Sequence, residues 1–266
     1  MSTREASFFR RIDVRFPWLK IVAGVVIGLV TMLNLLDLTI SKVGDPYNKI
    51  RVAPMARHVK ATERVLTGKK LVALTFDDGP SNITTPRLLD ILWEKDVPAT
   101  FFMLGSQARN NPDIVKRVER ERHVVASHTM YHQNLPRITA AEAASDIAEA
   151  RDTFNSILGH PVAYTRPPYG NISDTVRSAT GTPLILWSVD TLDWQNRNPE
   201  MILTNVKNQV SDGGIILLHD IYDTSVDAVG PIIDELRKDG YEFATIAEIV
   251  KIRGLKLENG VAYRSL

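Results

Sequence analysis

Cysteine is absent from the 266-residue chain. That removes disulfides and thiolate metal sites, so any metal must be held by histidine and carboxylate, and any core by packing alone. The absence suits a cytosolic protein or an exported one that folds without covalent cross-links. Net charge is nearly missing too, since 32 Lys and Arg against 31 Asp and Glu leave +1. Such a balance offers no global attraction to nucleic acid, and no basic stripe interleaved with aromatics is present. There is no internal repeat and no low-complexity tract. The length allows one domain of barrel size with an appendage.

Against these absences one segment stands out. The apolar run Leu71-Val72-Ala73-Leu74-Thr75-Phe76 ends in Asp77-Asp78 and is broken at once by Gly79-Pro80. It reads as a buried strand with two like charges at its carboxyl end. Adjacent carboxylates repel unless a cation or a shared proton offsets them. The carboxyl end of the sheet is also where α/β folds place their active sites. An Asp-Gly-Pro turn occurs on ordinary solvated surfaces as well.

A second segment, Ser127-His128-Thr129-Met130-Tyr131-His132, puts two histidines on one face if it forms a helical turn. Paired histidines also arise from core packing. With Asp78 they make an Asp-His-His set that suits a divalent ion such as zinc and leaves a coordination position for water. His58, His123 and His160 lack such company and read as surface or packing residues. Three more polar sets follow apolar runs: Thr165-Arg166-Pro167-Pro168-Tyr169-Gly170, Ser188-Val189-Asp190-Thr191-Leu192-Asp193-Trp194, and His219-Asp220 after Gly214 to Leu218. Each alone is compatible with a strand that ends in polar residues. Independent accidents would not repeat the placement so regularly.

Over roughly residues 69–249 these blocks make the chain resemble the polysaccharide deacetylases, also called family-four carbohydrate esterases or NodB-homology domains. Thr75-Phe76-Asp77-Asp78-Gly79-Pro80, His128-Thr129-x-x-His132, Arg166-Pro167-Pro168-Tyr169-Gly170, Asp193-Trp194 and Leu217-x-His219-Asp220 stand in the family's order. One departure is Arg122-His123-Val124, where relatives often carry Gly-His-Glu. It falls in a turn into a strand and bears on local geometry more than on chemistry.

The resemblance implies an α/β fold, a distorted and incompletely closed (β/α)7 barrel. It implies Asp78, His128 and His132 as ligands of a divalent metal, zinc first, with cobalt, nickel or manganese as alternatives. Asp77 would be the general base, held by Arg166. His219 would be the general acid, held and raised in pKa by Asp193. The Tyr169 backbone N–H would stabilise the oxyanion, and Trp194 and Leu217 would wall the acetyl methyl, with core packing as the rival reading of those two. The implied reaction is hydrolysis of N-acetyl groups on a cell-envelope polysaccharide by attack of a metal-bound water on the amide. Peptidoglycan N-acetylglucosamine is the first substrate, because the Arg-Pro-Pro-Tyr form resembles glucosamine-directed members more than muramic-acid-directed ones. Chitin or exopolysaccharide deacetylation and xylan O-acetyl removal are the alternatives within the class. Outside it stand a catalytically silent glycan-binding surface protein and an envelope protein with a structural metal. The complete set of Asp77, Asp78, His128, His132 and His219 argues against the first. Three ligands, where a structural zinc normally has four, argue against the second.

Alternation of strand-like and helix-like segments agrees with parallel strands covered by helices. Residues 98–103 read as a strand. Residues 139–158 read as a helix opened by a Thr139–Glu142 capping box, with further helices over 199–210 and 226–239. Upstream, residues 21–36 carry no charge, and with Trp18, Leu19 and Lys20 they approach the roughly 20 residues needed to cross a bilayer. Arg4, Arg10, Arg11, Arg15 and Lys20 precede the run against Glu5 and Asp13, which predicts an inside amino terminus. The expected organisation is a short basic cytoplasmic tail (1–17), an uncleaved transmembrane signal-anchor (18–40), a stalk (41–68), the catalytic domain (69–252) and a carboxyl-terminal extension (253–266) with a turn at Glu258-Asn259-Gly260 and a small hairpin. A cleaved signal peptide, with secretion, is the alternative, but its apolar region usually spans only about 7–15 residues and no Ala-x-Ala-like site follows. The expected partners are a glycan and the membrane, with no nucleic acid and no obligate protein partner. The expected location is the cell membrane, single-pass, with the catalytic domain outside.

Overall fold

The computed structural model describes residues 66–266. In chain order these form β1 (Leu71–Asp77), α1 (Thr84–Lys95), β2 (Thr100–Met103), α2 (Gly105–Asn110), α3 (Pro112–Arg120), β3 (Val124–Ser127), α4 (Ala140–Leu158), α5 (Asp174–Thr180), β4 (Leu184–Ile185), β5 (Val189–Asp190), α6 (Asp193–Asn196), α7 (Pro199–Gln209), β6 (Gly214–His219), α8 (Asp223–Lys238), β7 (Glu242–Phe243), α9 (Ile246–Ile252) and β8 (Ala262–Tyr263).

Every residue of β1 is buried, so hydrophobicity marks a strand without marking its faces. Pairing supplies the faces. β2 lies along one side of β1, from Thr75↔Thr100 to Asp77↔Phe102, and β6 along the other, from Val72↔Gly214 to Asp77↔His219. β7 takes the stretch that β2 leaves free, at Leu71↔Glu242 and Val72↔Phe243. With β3 beside β2 and β5 beside β6, all parallel, the order is β3-β2-β1-β6-β5. The two-residue period of a strand then sorts the side chains. Val72, Leu74 and Phe76 join the larger core beneath α1, α7 and α8, while Leu71 and Ala73 join a second core with Ile185 and Ile215. Thr75 and Asp77 follow Leu71 and Ala73 onto that inner face, at its carboxyl end.

Single bridges at Ser127↔Thr165 and Thr165↔Leu184 carry the sheet past β3 to β4, which pairs with β8, and a bridge at Gly214↔Ser265 returns the chain to β6. The sheet therefore curls round with gaps in its ladder, an α/β fold with parallel strands and incomplete closure.

The expected hairpin after residue 255 does not form. The turn is present, with Val261 N–H donating to Glu258 O at 3.2 Å, but β8 pairs in parallel with β4. Leu257, Tyr263 and Leu266 pack on the second core, and that burial outweighs what a lone two-stranded hairpin offers. The capping box of α4 is as expected: Thr139 Oγ1 accepts from Glu142 N at 3.2 Å, and Glu142 Oε2 accepts from Thr139 N at 2.9 Å. α8 begins at Asp223, three residues ahead of the expected start. Arg122 takes a left-handed φ of 69° where relatives often carry glycine, at a cost of about 1 kcal/mol. His123 packs against Phe101, its Nδ1 accepting from Ala99 N at 3.0 Å, while exposed His160 pairs with Glu119. His58, the anchor at 18–40, the basic tail and nearly all of the stalk lie outside the described residues. Among the described residues no helix is long and apolar enough to cross a membrane.

Candidate active site

The inward turn of Asp77 brings it to Arg166, which is fully buried. Arg166 Nη1 donates to Asp77 Oδ1 at 2.6 Å and to Thr75 Oγ1 at 2.9 Å. Its Nε and Nη2 donate to the Ile185 and Leu186 carbonyls at 2.9 and 3.0 Å, and its guanidinium lies 4.0 Å from the Phe102 ring centroid. A buried guanidinium keeps its proton and depends on this full set of acceptors. Burial pushes the Asp77 carboxyl above its usual range, opposed by the charge and hydrogen bond of Arg166.

Asp78 leaves the strand with a left-handed φ of 74°, while Asp77 Oδ2 stays 3.6 Å from His128 Nε2. Asp78 Oδ1 lies 3.3 Å from His132 Nε2 and 3.5 Å from His128 Nε2. No helical turn forms over 128–132. Thr129 and His132 adopt φ of 70° and 57°, and the Met130 and Tyr131 N–H groups donate to the Asp146 carboxylate on α4 at 2.6 and 3.3 Å. A loop pinned to Asp146, not a helix face, sets the two imidazoles 5.1 Å apart.

His128 Nδ1 meets the Arg166 carbonyl at 2.6 Å, so Nδ1 carries the proton and Nε2 presents a lone pair. Burial, outweighing the charge of Asp78, pulls His128 down to about 3, and the ring is neutral at physiological pH. Among the described residues the buried Asp78 Oδ1 has no hydrogen-bond donor. One ligand atom from each of Asp78, His128 and His132 lies within 4.8 Å of the others. An imidazole lone pair and an unpartnered carboxylate oxygen, aimed at the same few cubic ångströms, fit a divalent cation.

Beside Asp77, at the end of β6, stands His219, its Nε2 4.0 Å from Asp78 Oδ2. Its Nδ1 donates to Asp193 Oδ1 at 2.8 Å and its backbone N–H to Asp193 Oδ2 at 2.8 Å. Ser225 Oγ and Trp194 N also donate to Asp193, at 2.6 and 2.9 Å. Burial acts to raise the Asp193 pKa, but these bonds and the charge of His219 hold it below its usual range. Burial pulls His219 down, yet the bond and charge of Asp193, aided by Asp77 and Asp78, outweigh it and push His219 up to about 9.

A cleft of about 490 Å³ joins the two walls. Asp77, Asp78, His128, His132, Tyr169, Trp194, Leu217 and His219 all line it, with Arg166 and Asp193 directly behind. All ten residues picked out in the sequence are thus brought together. Trp194 is 50 % exposed and so is not a core residue, whereas Leu217 is buried in the cleft wall. The Tyr169 ring stands edge-on to His132 at 4.7 Å, on a turn where Tyr169 takes a φ of 60°.

Sequence reasoning passed over Trp187, Asp190 and Tyr222, which also line the cleft, and Asp146 and Ser225, which hold it from behind. Gly170 carried a signal for Trp187, because a Cβ there would meet the Trp187 ring at 3.0 Å. Gly79 is equally constrained, since its Cβ would lie 2.3 Å from both carboxylate oxygens of Asp220. Burial, with Thr85 bonding against it and Asp78 adding to it, raises Asp220 to about 7. Gly79→Ala is therefore expected to lower the thermal midpoint, and adding Asp220→Ala to recover part of the loss. A double-mutant cycle that proves additive would show that the two positions do not collide.

Residues 64–182 match the family model described as polysaccharide deacetylase. The chain is 40% identical over 191 residues to the peptidoglycan-N-acetylmuramic acid deacetylase PdaC of Bacillus subtilis, covering 72% of this chain and 41% of that protein. It is 38% identical over 224 residues to the peptidoglycan-N-acetylglucosamine deacetylase PgdA of Listeria monocytogenes, covering 84% and 47%. The chain thus spans less than half the length of either relative. A family 4 acetyl xylan esterase from Clostridium thermocellum, solved with a cobalt ion, superposes with a TM-score of 0.70 at 30% identity over 74% of this chain and 99% of that one.

Proposed function

Because the chain belongs to the polysaccharide deacetylase family, we propose that it is a metal-dependent hydrolase that removes N-acetyl groups from peptidoglycan, with N-acetylglucosamine as the acetylated sugar. One observation carries the reading: a carboxylate held by arginine and an imidazolium held by carboxylate line one cleft with the Asp78-His128-His132 set. Base and acid with pKa values pushed to suit opposite proton transfers are what amide hydrolysis demands.

Asp78, His128 and His132 would hold a divalent ion, zinc in the first instance, which when bound would supply Lewis-acid chemistry, lowering the pKa of water and polarising an acyl oxygen. Asp77 accepts the proton of the attacking water, its orientation fixed by Arg166. The Tyr169 backbone N–H donates to the oxyanion as the carbonyl becomes tetrahedral. His219, charged up to about pH 9, gives its proton to the departing glucosamine nitrogen, which would otherwise leave as an unstable anion. Leu217 and Trp194 receive the acetyl methyl. The reading extends to location, with residues 18–40 anchoring the chain and residues 69–252 outside the membrane, within reach of the wall.

The test incubates the full chain, in detergent, with purified peptidoglycan and follows muropeptides by mass spectrometry. Zinc-loaded protein is expected to remove acetyl from glucosamine, chelated protein to remove none, and reloading to restore the loss. Acetyl loss confined to muramic acid would overturn the sugar assignment. No loss with metal bound would overturn the reaction.

A further inference from the structure

Among the described residues, those lining the cleft include Asp77, Asp78 and Asp190 but no lysine or arginine. Arg197 stands at its rim. It follows α6 in a left-handed conformation, φ 48°, with its N–H on Asp193 O at 3.2 Å and its Nε on Trp194 O at 3.0 Å. Its guanidinium lies over the ring of Tyr222, 3.0 Å from the centroid. Trp194 and Tyr222 both line the cleft, so Arg197 borders the His219 side.

A long, charged residue in a backbone conformation that favours glycine is strained, and strain that the surroundings maintain points to use. Here Asp193, Trp194 and Tyr222 maintain it. What they hold is a flat guanidinium with its rotamer fixed and its terminal nitrogens unpaired: among the described residues no carboxylate forms an ion pair with Arg197. A stacked, pre-oriented guanidinium gives up little entropy when it takes a carboxylate with two parallel hydrogen bonds.

We propose that Arg197 is a specificity-determining residue that binds a carboxylate on the glycan while the acetyl group sits in the cleft. The preferred substrate is then a strand bearing acidic substituents, such as peptidoglycan with its stem peptides, over a neutral chitin-type chain. This rests on the deacetylase reading and narrows its substrate.

The test uses soluble peptidoglycan strands and the same strands with their carboxylates converted to amides by carbodiimide and ammonia. Binding is measured by Trp fluorescence with the full chain in detergent, carrying Asp77→Asn so that turnover is negligible over the measurement, with and without Arg197→Gln. Arg197→Gln is expected to weaken binding of the acidic strands about fivefold, the strength of a rim ion pair, and to leave the amidated strands unaffected. The difference is expected to shrink between about 0.05 and 0.5 M salt. Equal weakening on both substrates would mean that Arg197 only shapes Tyr222 and Trp194, and no weakening on either would mean that it does not touch the glycan; both overturn the proposal. Acetate release by the protein with Asp77 intact is scored separately. Its failure sinks the hydrolase reading alone, because the binding comparison does not depend on turnover.

Discussion

Asp77→Asn is expected to lower kcat for acetyl release by about 10²–10⁴-fold while the loaded protein keeps its full complement of metal. The two neighbouring carboxylates differ in what they touch. Asp78 Oδ1 faces His128 and His132 with no hydrogen-bond donor of its own, whereas Asp77 Oδ1 is taken by Arg166. Asparagine preserves the acceptor for Arg166 Nη1 but cannot take a proton from water. Stability falls as well, because the buried guanidinium loses its only charged partner among these contacts and keeps neutral acceptors alone: the asparagine oxygen, Thr75 and the Ile185 and Leu186 carbonyls. Breaking a buried pair from one side costs about 3–5 kcal/mol, so rates belong well below the lowered thermal midpoint. Metal analysis beside the rates decides the assignment. Metal lost in step with activity would make Asp77 a ligand, not the base.

How much of this was legible depends on the range of each contact. The strand over residues 71–77 and the set Asp78, His128 and His132 could be read directly, since apolar runs and side-chain chemistry are local properties. The two-faced geometry of β1 could not. A strand buried on both sides shows no alternation, and only its pairing with β2 and β6 reveals that Thr75 and Asp77 point inward. The histidine pair was found through a helical spacing that the backbone does not adopt; the chemistry survived because the loop, pinned by Asp146, converges the rings by another route. Asp146 itself looks like any acid in an amphipathic helix. Ser225 acts on Asp193 across 32 residues, and Tyr222 matters through Arg197 and His219. Nothing nearby in sequence marks either. The carboxyl-terminal turn read correctly as a turn, but which strand its far arm joins was decided by burial against β4.

Asp193→Asn is expected to abolish most activity at pH 8 and to spare a larger fraction at pH 6, because the substitution acts through the pKa of His219. Burial alone pulls that imidazole down, and the Asp193 bond and charge are the largest of the opposing causes that lift it to about 9. Without the carboxylate the balance reverses and His219 falls well below 9. A cation beside Asp78 pushes further the same way. The acid that protonates the leaving nitrogen is competent only below its pKa, so a lower pKa moves the alkaline limb of the rate profile to lower pH. The acidic limb belongs to Asp77, which is active only above its own pKa, and it should stay in place; the pH window narrows from the alkaline side alone. The replacing asparagine also keeps an oxygen for one donor but meets Ser225 Oγ and the His219 N–H with an amide, so some loss at every pH accompanies the shift. The diagnostic readout is the ratio of variant to wild-type kcat/KM across the neutral and alkaline range. A ratio that falls as pH rises is the expected result. A flat ratio would mean that Asp193 serves His219 by position only, and the high pKa would then have no part in expelling the amine.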